Sequence, residues 1–598
     1  MSVQYRAVNW NRQKRLYDLV VGIAAPGLVV LFAGATLLRH PHATLETALI
    51  RGLAVSAAVL LHITICIGPL TRLVPALLPL LYNRRHLGVT TCLLALGHGG
   101  FALIQYHGSG DVNPLVSVLS ANRALGSIAS FPFELLGIAA LLVLIVMAAT
   151  SHDFWLATLT PPVWKRLHML VYPAFALVVA HVALGALQNE GGLLVAAALA
   201  VGAGLVVGLH LAAGLRERPL DRERLAREGW VEVCGVDEIP EKRARIATIS
   251  GERVAVFRYD GKVSAVSNVC KHQNGPLGEG RIIDGCITCP WHGYQYRPES
   301  GASPPPYTDT IPTFRTQIAD GRVLIHPHPL PPGTAVEPSV VDRPLSAEER
   351  DAEFYVGYFP SSPPGIARRT RRAVVTLGLL VSGSVVGLAL AQPPFAAATF
   401  EYGRPREVAG RLRALPYPVL VVETREGDLP VTSRHWLLAA PGKHGADAQV
   451  AAYDGRTVRI RGQLLHRGDA AMLEILAIDG TSTGPEPVAT THVELGTLTL
   501  TGEIVDSKCW MGAMNPGEGK THLACAVRCV SGGLPPLLAL RDGAGGERHL
   551  LLVNPDGGPV DRGALQGVGR PVSITGRVTR EGELLFLHAD PATYRILH

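Results

Sequence analysis

Six apolar stretches, at about 18–38, 48–70, 88–106, 131–149, 168–187 and 193–214, crowd into the first 214 residues of this chain. Each approaches the roughly 20 residues that an α-helix needs to cross a bilayer. Backbone polar groups in hydrocarbon must be satisfied within the segment itself, so such stretches are restricted to a bundle of spanning helices. Composition agrees: 48% of the residues are apolar and only 17% charged, an unusual balance for a soluble protein. With 598 residues, the chain also has room for further domains beyond the bundle.

Basic residues mark the loops unevenly. They precede the first stretch (Arg6, Arg12, Lys14, Arg15), follow the second (Arg72, Arg84, Arg85), precede the fifth (Lys165, Arg166) and follow the sixth (Arg216, Arg218, Arg222, Arg224). By the positive-inside rule these loops are cytoplasmic, and the start of the chain reads as a retained polar segment, not a cleavable signal. The net charge is only +6, and no basic, aromatic-interleaved patch argues for a nucleic-acid partner.

Histidines within apolar helices are costly unless they have a partner or a function. Four stand out: His62, His98, His168 and His181. His168 and His181 are thirteen residues apart, about 20 Å along a helix and about 140° apart around it. Both face the bundle interior only if the helix is distorted, and Pro173 between them supplies a break. The stretch W-K-R-L-H-M-L-V-Y (164–172) with its following His181, and R-R-H-L-G (84–88) leading to His98, resemble ferric-reductase-like membrane domains, above all the heme-binding membrane partner of bacterial methionine-sulfoxide reductase. The resemblance implies b-type heme, one or two, with His98, His168 and His181 as ligands. His98 and His181 lie at comparable depth and make one pair; His168 would pair with His62, His86, His210 or none. Bundle histidines that merely hydrogen-bond are the alternative.

After the sixth stretch comes Cys270-Lys271-His272, sixteen residues, then Cys289-Pro290-Trp291-His292. Two thiolates and two imidazoles, one of each per loop, suit a [2Fe–2S] cluster bound by two Cys on one iron and two His on the other; a zinc site of the same ligands usually has closer pairs. The motif, followed by Gly293-x-x-Tyr296, resembles Rieske ferredoxins and the ferredoxin-like domains of aromatic-ring dioxygenase systems. The resemblance implies that Cys270 and Cys289 hold one iron, and His272 and His292 the other. The disulfide cysteines of quinol-oxidising relatives are replaced by Gly275 and Trp291, which argues against a quinol complex. The surrounding strands R-V-A-V-F-R-Y, K-V-S-A-V-S-N-V and R-V-L-I-H, parted by D-G and G-R turns, predict an all-β domain.

A Pro-rich linker (329–372) precedes a seventh apolar run, 373–391, behind Arg368, Arg369, Arg371 and Arg372. It reads as one further transmembrane helix or as an internal signal-like segment. Beyond it the sequence repeats. R-H-W-L-L (434–438) and G-R-T-V-R-I-R-G (455–462) return as R-H-L-L-L (548–552) and G-R-P-V-S-I-T-G (569–576), 114 residues on, while V-A-G-R-L (408–412) aligns with L-T-G-E-I (500–504), 92 residues on. Two similar small β domains, most simply OB-like barrels, are expected, the second with 22 extra residues. In and beside that insertion sit Cys509, His522, Cys525 and Cys529, with Met511 and Met514 near. They read either as a metal site, copper being one candidate, or as one disulfide plus a buried thiol.

The expected fold class is therefore a multidomain membrane protein: a six-helix transmembrane bundle with heme b (1–215), an all-β Rieske [2Fe–2S] domain (225–328), the linker (329–372), one further transmembrane helix (373–391), and two repeated small β (OB-like) domains (400–490 and 491–598). The expected role is electron transfer across a bacterial inner membrane, from a soluble cytoplasmic donor to a periplasmic redox partner, as an oxidoreductase or an electron-transfer subunit with no catalytic side chain assigned. The competing reading is a membrane-anchored ferredoxin that supplies a cytoplasmic oxygenase, with the outer domains as a metal-binding or docking module.

Overall fold

In the computed structural model the chain is described apart from residues 1–11, 153–154, 156–157, 160, 191, 220, 223, 225–228, 342–353, 357–361, 425–431, 483–491, 542–546 and 598. Much of the expected linker (329–372) thus lies outside the described residues. The membrane part is built from α1 (Arg12–Arg39), α2 (Leu45–Leu73), α3 (Arg84–Ala102), α4 (Glu134–Ala149), α5 (Val171–Leu184), α6 (Leu193–Glu217) and α7 (Pro364–Leu390). Six helical segments are long and apolar enough to span a bilayer: Lys14–Arg39, Leu45–Leu73, Arg84–His107, Val163–Gln188, Leu193–Glu217 and Pro364–Leu390. The fourth apolar run folds as a shorter helix of 16 residues, about 24 Å long at the helical rise. The helix expected to carry both His168 and His181 is interrupted. A first piece, Pro161–His168, ends before α5 begins at Val171, so Pro173 sits in the first turn of the second piece, where its missing N–H is harmless.

The helices pack through small residues and branched aliphatics. Ala25 and Val29 of α1 meet Ala57 and Leu60 of α2, and α7 joins the bundle by laying Val385 and Ala389 on Phe32. Gln392, just past the end of α7, bridges the C-terminal end of α1 and the N-terminal end of α2 by bonding Thr36 Oγ1 and Arg51 Nη1, each at 2.8 Å.

The next domain is all β. Glu252–Tyr259 is flanked by antiparallel Arg243–Ile249 and Lys262–Ser267, and smaller sheets are formed by Val231–Gly235, Arg322–Ile325 and Thr316–Ala319, and by Arg281–Ile283, Cys286–Thr288 and Gln295–Tyr296. Its hairpins turn on Asp260-Gly261, Asp284-Gly285 and Asp320-Gly321, all with positive φ. Two successive left-handed residues are what the right-handed twist of paired strands requires of a two-residue turn.

The C-terminal region is two closed five-strand barrels. In the first, Arg406–Arg413, Val419–Thr424, Thr432–Ala439, Ala470–Ser482 and Thr457–Arg467 follow one another and the last pairs back to the first; in the second, His492–Asp506, Pro536–Arg541, Glu547–Val553, Leu584–His588 and Pro571–Glu581 do the same. The repeat reaches individual pairs: Leu437 opposes Met472 as Leu551 opposes Phe586, and Val408 opposes Ile460 as Leu500 opposes Ile574. Gly462 and Gly576 occupy matching corners where a Cβ would lie 2.5 Å from a carbonyl oxygen of the neighbouring strand. Only glycine permits backbones that close. The added residues fall between the first two strands of the second barrel and form a tight turn, Cys509–Ala513, and α8 (Leu523–Ser531).

The β domains sit at opposite ends of the bundle. The Rieske-motif domain is held by Arg253, which pairs with Glu217 at the end of α6 (3.1 Å) and with Asp221 (2.8 Å). The barrels dock on the other end. Thr47 Oγ1 donates to the Asn515 carbonyl (2.6 Å), Asn515 Nδ2 to that of His42 (3.1 Å), Lys520 Nζ to Gln188 Oε1 (2.7 Å), and Arg528 Nε to Ser117 Oγ (3.0 Å).

Candidate functional site

Two loops with the same internal hydrogen bonding build the first site. Cys270 N–H donates to the Gly275 carbonyl and Asn274 N–H to that of Cys270; likewise Cys289 N–H donates to Tyr294 and Gly293 N–H to Cys289, all at 2.8–2.9 Å. The fourth residue after each cysteine is left-handed, Asn274 at φ 59° and Gly293 at φ 73°, a conformation that Gly and Asn adopt most readily. The thiols of Cys270 and Cys289 are buried, and the rings of His272 and His292 lie 4.9 Å apart. That separation lets both imidazoles reach one iron at metal–nitrogen bonds of about 2 Å. A Cβ on Gly275 would stand 2.7 Å from Cys289 Sγ, so glycine is what allows the two loops to close around the sulfurs. The donor set fits a [2Fe–2S] cluster. Tyr296, legible in the sequence only as the end of Gly-x-x-Tyr, places its hydroxyl 3.6 Å from Cys270 Sγ and accepts the Lys271 N–H at 2.9 Å. Burial and the adjacent Cys270 push its phenol well above the ordinary tyrosine value.

The histidine tip of this domain turns toward the membrane part. His292 is only 8% exposed, and its ring lies 6.3 Å from that of Tyr82, over which Lys14 Nζ sits at 5.1 Å. Burial, then His272 and the cations of Arg85, Lys14 and Arg84, hold the His292 imidazole well below its ordinary range. Nothing in the sequence pointed to Tyr82, because the contact joins residues 210 positions apart.

Within the bundle the structure brings His98 and His181 together at 6.4 Å between ring centres. Two metal–nitrogen bonds of about 2 Å plus two imidazole half-widths span such a gap. His98 Nδ1 bonds the Ile50 carbonyl (3.1 Å) and His181 Nδ1 that of Phe133 (2.9 Å), which fixes each ring with Nε2 available, the second-shell arrangement of ligating histidines. Gly137 lies where a Cβ would strike the His181 ring at 2.9 Å. The pair is suited to hold a heme iron between two imidazoles.

His168 and His62 are placed otherwise. His168 stacks on Trp164 at 3.8 Å, bonds Ser151 Oγ through Nε2 at 3.3 Å, and lies within the electrostatic reach of Arg84 and Arg85. His62 packs edge-on against Phe175, with Nδ1 on the Ala58 carbonyl and Nε2 against Gly202. Among the described residues no ring pair joins the two. The other partners considered for His168 are engaged elsewhere, His86 with Asp18 (2.5 Å) and His210 with Tyr172 (3.0 Å).

In the second barrel Cys509, Cys525, Cys529 and His522 converge in a fully buried cluster that also includes Asp506. Asp506 belongs to no local sequence motif.

A cluster-binding β domain and a heme-type histidine pair on one helical bundle define a multi-pass membrane protein of electron transport. Residues 229–315 match the Rieske [2Fe–2S] domain family and residues 53–179 the ferric reductase like transmembrane component family. The chain is 30% identical over 103 residues to the ferredoxin component of the alkene monooxygenase system of Xanthobacter autotrophicus, 17% of this chain and 84% of that protein. It is 35% identical over 89 residues to cholesterol 7-desaturase nvd of Xenopus laevis, 14% of this chain but only a fifth (20%) of that protein's length. Among solved structures it is similar to the Sphingomonas yanoikuyae B1 ferredoxin, at 28% identity and a TM-score of 0.15, over 16% of this chain and 96% of that one. The chain belongs to the Rieske [2Fe–2S] family and joins that domain to a ferric-reductase-like transmembrane component.

Proposed function

We propose that the protein carries electrons across the membrane within one chain, from a soluble donor on the cytoplasmic side to a redox partner on the periplasmic side of a bacterial inner membrane. The observation that carries this reading is the burial of His292 against Tyr82 at one end of the bundle. A Rieske domain that served a soluble oxygenase would keep its histidine edge open to that partner; here the edge is turned onto the membrane part. Basic Lys14, Arg72, Arg84, Arg85 and Arg216 gather at the same end, which the positive-inside rule assigns to the cytoplasm.

When bound, the [2Fe–2S] cluster and heme b supply one-electron carriers whose potentials the protein tunes. Cys270, Cys289, His272 and His292 would hold the first, and His98 and His181 the second. One heme accounts for the paired histidines; His168 is stacked on Trp164 and bonded to Ser151 Oγ and the Trp164 carbonyl, with no second histidine ring paired to it among the described residues. Arg253 holds the docked arrangement through Glu217 and Asp221. Rapid mixing of the purified protein with a reductant for which the cluster is the entry point tests the reading. Reduction of the Rieske signal followed by the heme Soret shift is expected. A heme that stays oxidised while the cluster is fully reduced would overturn it.

A further inference from the structure

We infer that Cys509, Cys525, Cys529 and His522 form a closed, four-coordinate zinc site in the second barrel. Cys529 Sγ lies 3.9 Å from Cys509 Sγ and 3.8 Å from Cys525 Sγ. The Cys509 and Cys525 sulfurs are also within 4.8 Å of each other, and none of the three is in a disulfide. Metal–sulfur bonds of about 2.3 Å at tetrahedral angles put neighbouring sulfurs about 3.8 Å apart. A ring nitrogen of His522 lies with the Cys509 and Cys525 sulfurs at mutual distances within 4.8 Å, as an Asp506 oxygen does with those of Cys509 and Cys529; the histidine is assigned the fourth corner.

The histidine is prepared for that corner. Its Nε2 bonds Asp506 Oδ2 at 2.8 Å, while its Nδ1 is buried with no hydrogen-bond partner. Asp506 also takes the Cys509 N–H on Oδ1 at 2.8 Å, so one carboxylate orients two ligands, as the outer partners of metal-bound histidines do. An unpartnered ring nitrogen that is 1% exposed is a costly group to leave without a ligand.

Burial points the same way. Cys525 and Asp506 are fully inaccessible, and Cys529, His522 and Cys509 are 1%, 1% and 5% exposed. A closed tetrahedral set with no open position and three soft donors selects zinc of the structural kind over copper, which the two nearby methionines had suggested; Met511 and Met514 pack in the apolar core beside the site.

Its position gives it a task. The ligands staple the turn Cys509–Ala513 to α8, and the residues between and within them carry Asn515, Lys520 and Arg528, which bond the membrane part. The zinc therefore stiffens the surface by which the barrels dock on the bundle.

Metal analysis and zinc-edge X-ray absorption of the full-length protein in detergent test this. One zinc per chain is expected beyond the iron, with three sulfurs at about 2.3 Å and one nitrogen at about 2.0 Å. Cys525→Ser and His522→Gln should each lower zinc content at least tenfold while the heme Soret band and Rieske signal persist. If those variants fail to accumulate, the absorption spectrum of the unaltered protein decides alone. Copper or iron on these ligands, a disulfide among the three cysteines by mass spectrometry, or metal-free protein with three titratable thiols would overturn the assignment.

Discussion

The His98 and His181 rings face each other 6.4 Å apart across the bundle, each anchored through Nδ1 to a carbonyl on a different segment, Ile50 and Phe133. The anchors are rigid backbone, so the gap is set by helix packing. Replacing either histidine by alanine should abolish the b-type Soret absorbance and leave the Rieske EPR signal intact. His168→Ala should retain at least half of the heme. Optical spectra and iron counts on the three variants check this, and equal loss in all three would contradict a single pair.

Arg253 is the charged link between the Rieske domain and α6. Arg253→Glu sets a third carboxylate beside Glu217 and Asp221. A partly exposed pair of this kind contributes up to about 1 kcal/mol, equivalent to about a fivefold change in the docking equilibrium constant. Heme reduction after cluster reduction should slow by up to that factor, with an unchanged cluster spectrum. Stopped-flow absorbance gives the answer, and an unaltered rate would show that docking does not depend on this link.

Tyr296 directs its hydroxyl at Cys270 Sγ. A hydrogen bond to a cluster sulfur favours the reduced, more negative state, so Tyr296→Phe should lower the potential. A differential stabilisation of ~1 kcal/mol is about 40 mV for one electron. An EPR-monitored redox titration measures it; a rise in potential would refute the role.

The two barrels are joined by Arg413 and Glu581 at 2.8 Å. Burial raises the Glu581 carboxyl, but Arg413 and His492 outweigh it, and the value in the fold is lowered. A lowered carboxyl contributes stability that is complete above its unfolded value of about 4.3 and is lost as pH falls through the folded value. Hydrogen-exchange protection factors at the barrel junction should therefore fall below about pH 4. Arg413→Met should weaken that pH dependence.

Much of this architecture was legible in local pattern. Apolar runs announced the helices because a bilayer demands some 20 such residues in a row, the Cys-x-His and Cys-x-x-His loops because cluster ligands must come from short turns, and the barrels because matching segments recur at offsets of 114 and 92 residues. The break between His168 and His181 was readable from Pro173, although it falls three residues earlier.

What no local pattern contained were contacts between distant parts. Tyr82 beside His292, Ser151 beside His168, and Asp506 behind His522 depend on how separately folded elements dock. By itself the sequence determined which elements form and which residue types are available as ligands, since these follow from periodicity, turn chemistry and ligand spacing. Tertiary structure alone decided that Tyr82 lies against His292, that Asp506 bonds His522, and that the Rieske tip faces the bundle. Those outcomes rest on packing between surfaces far apart in the chain, where a shift of one helical turn would part the partners by about 5 Å.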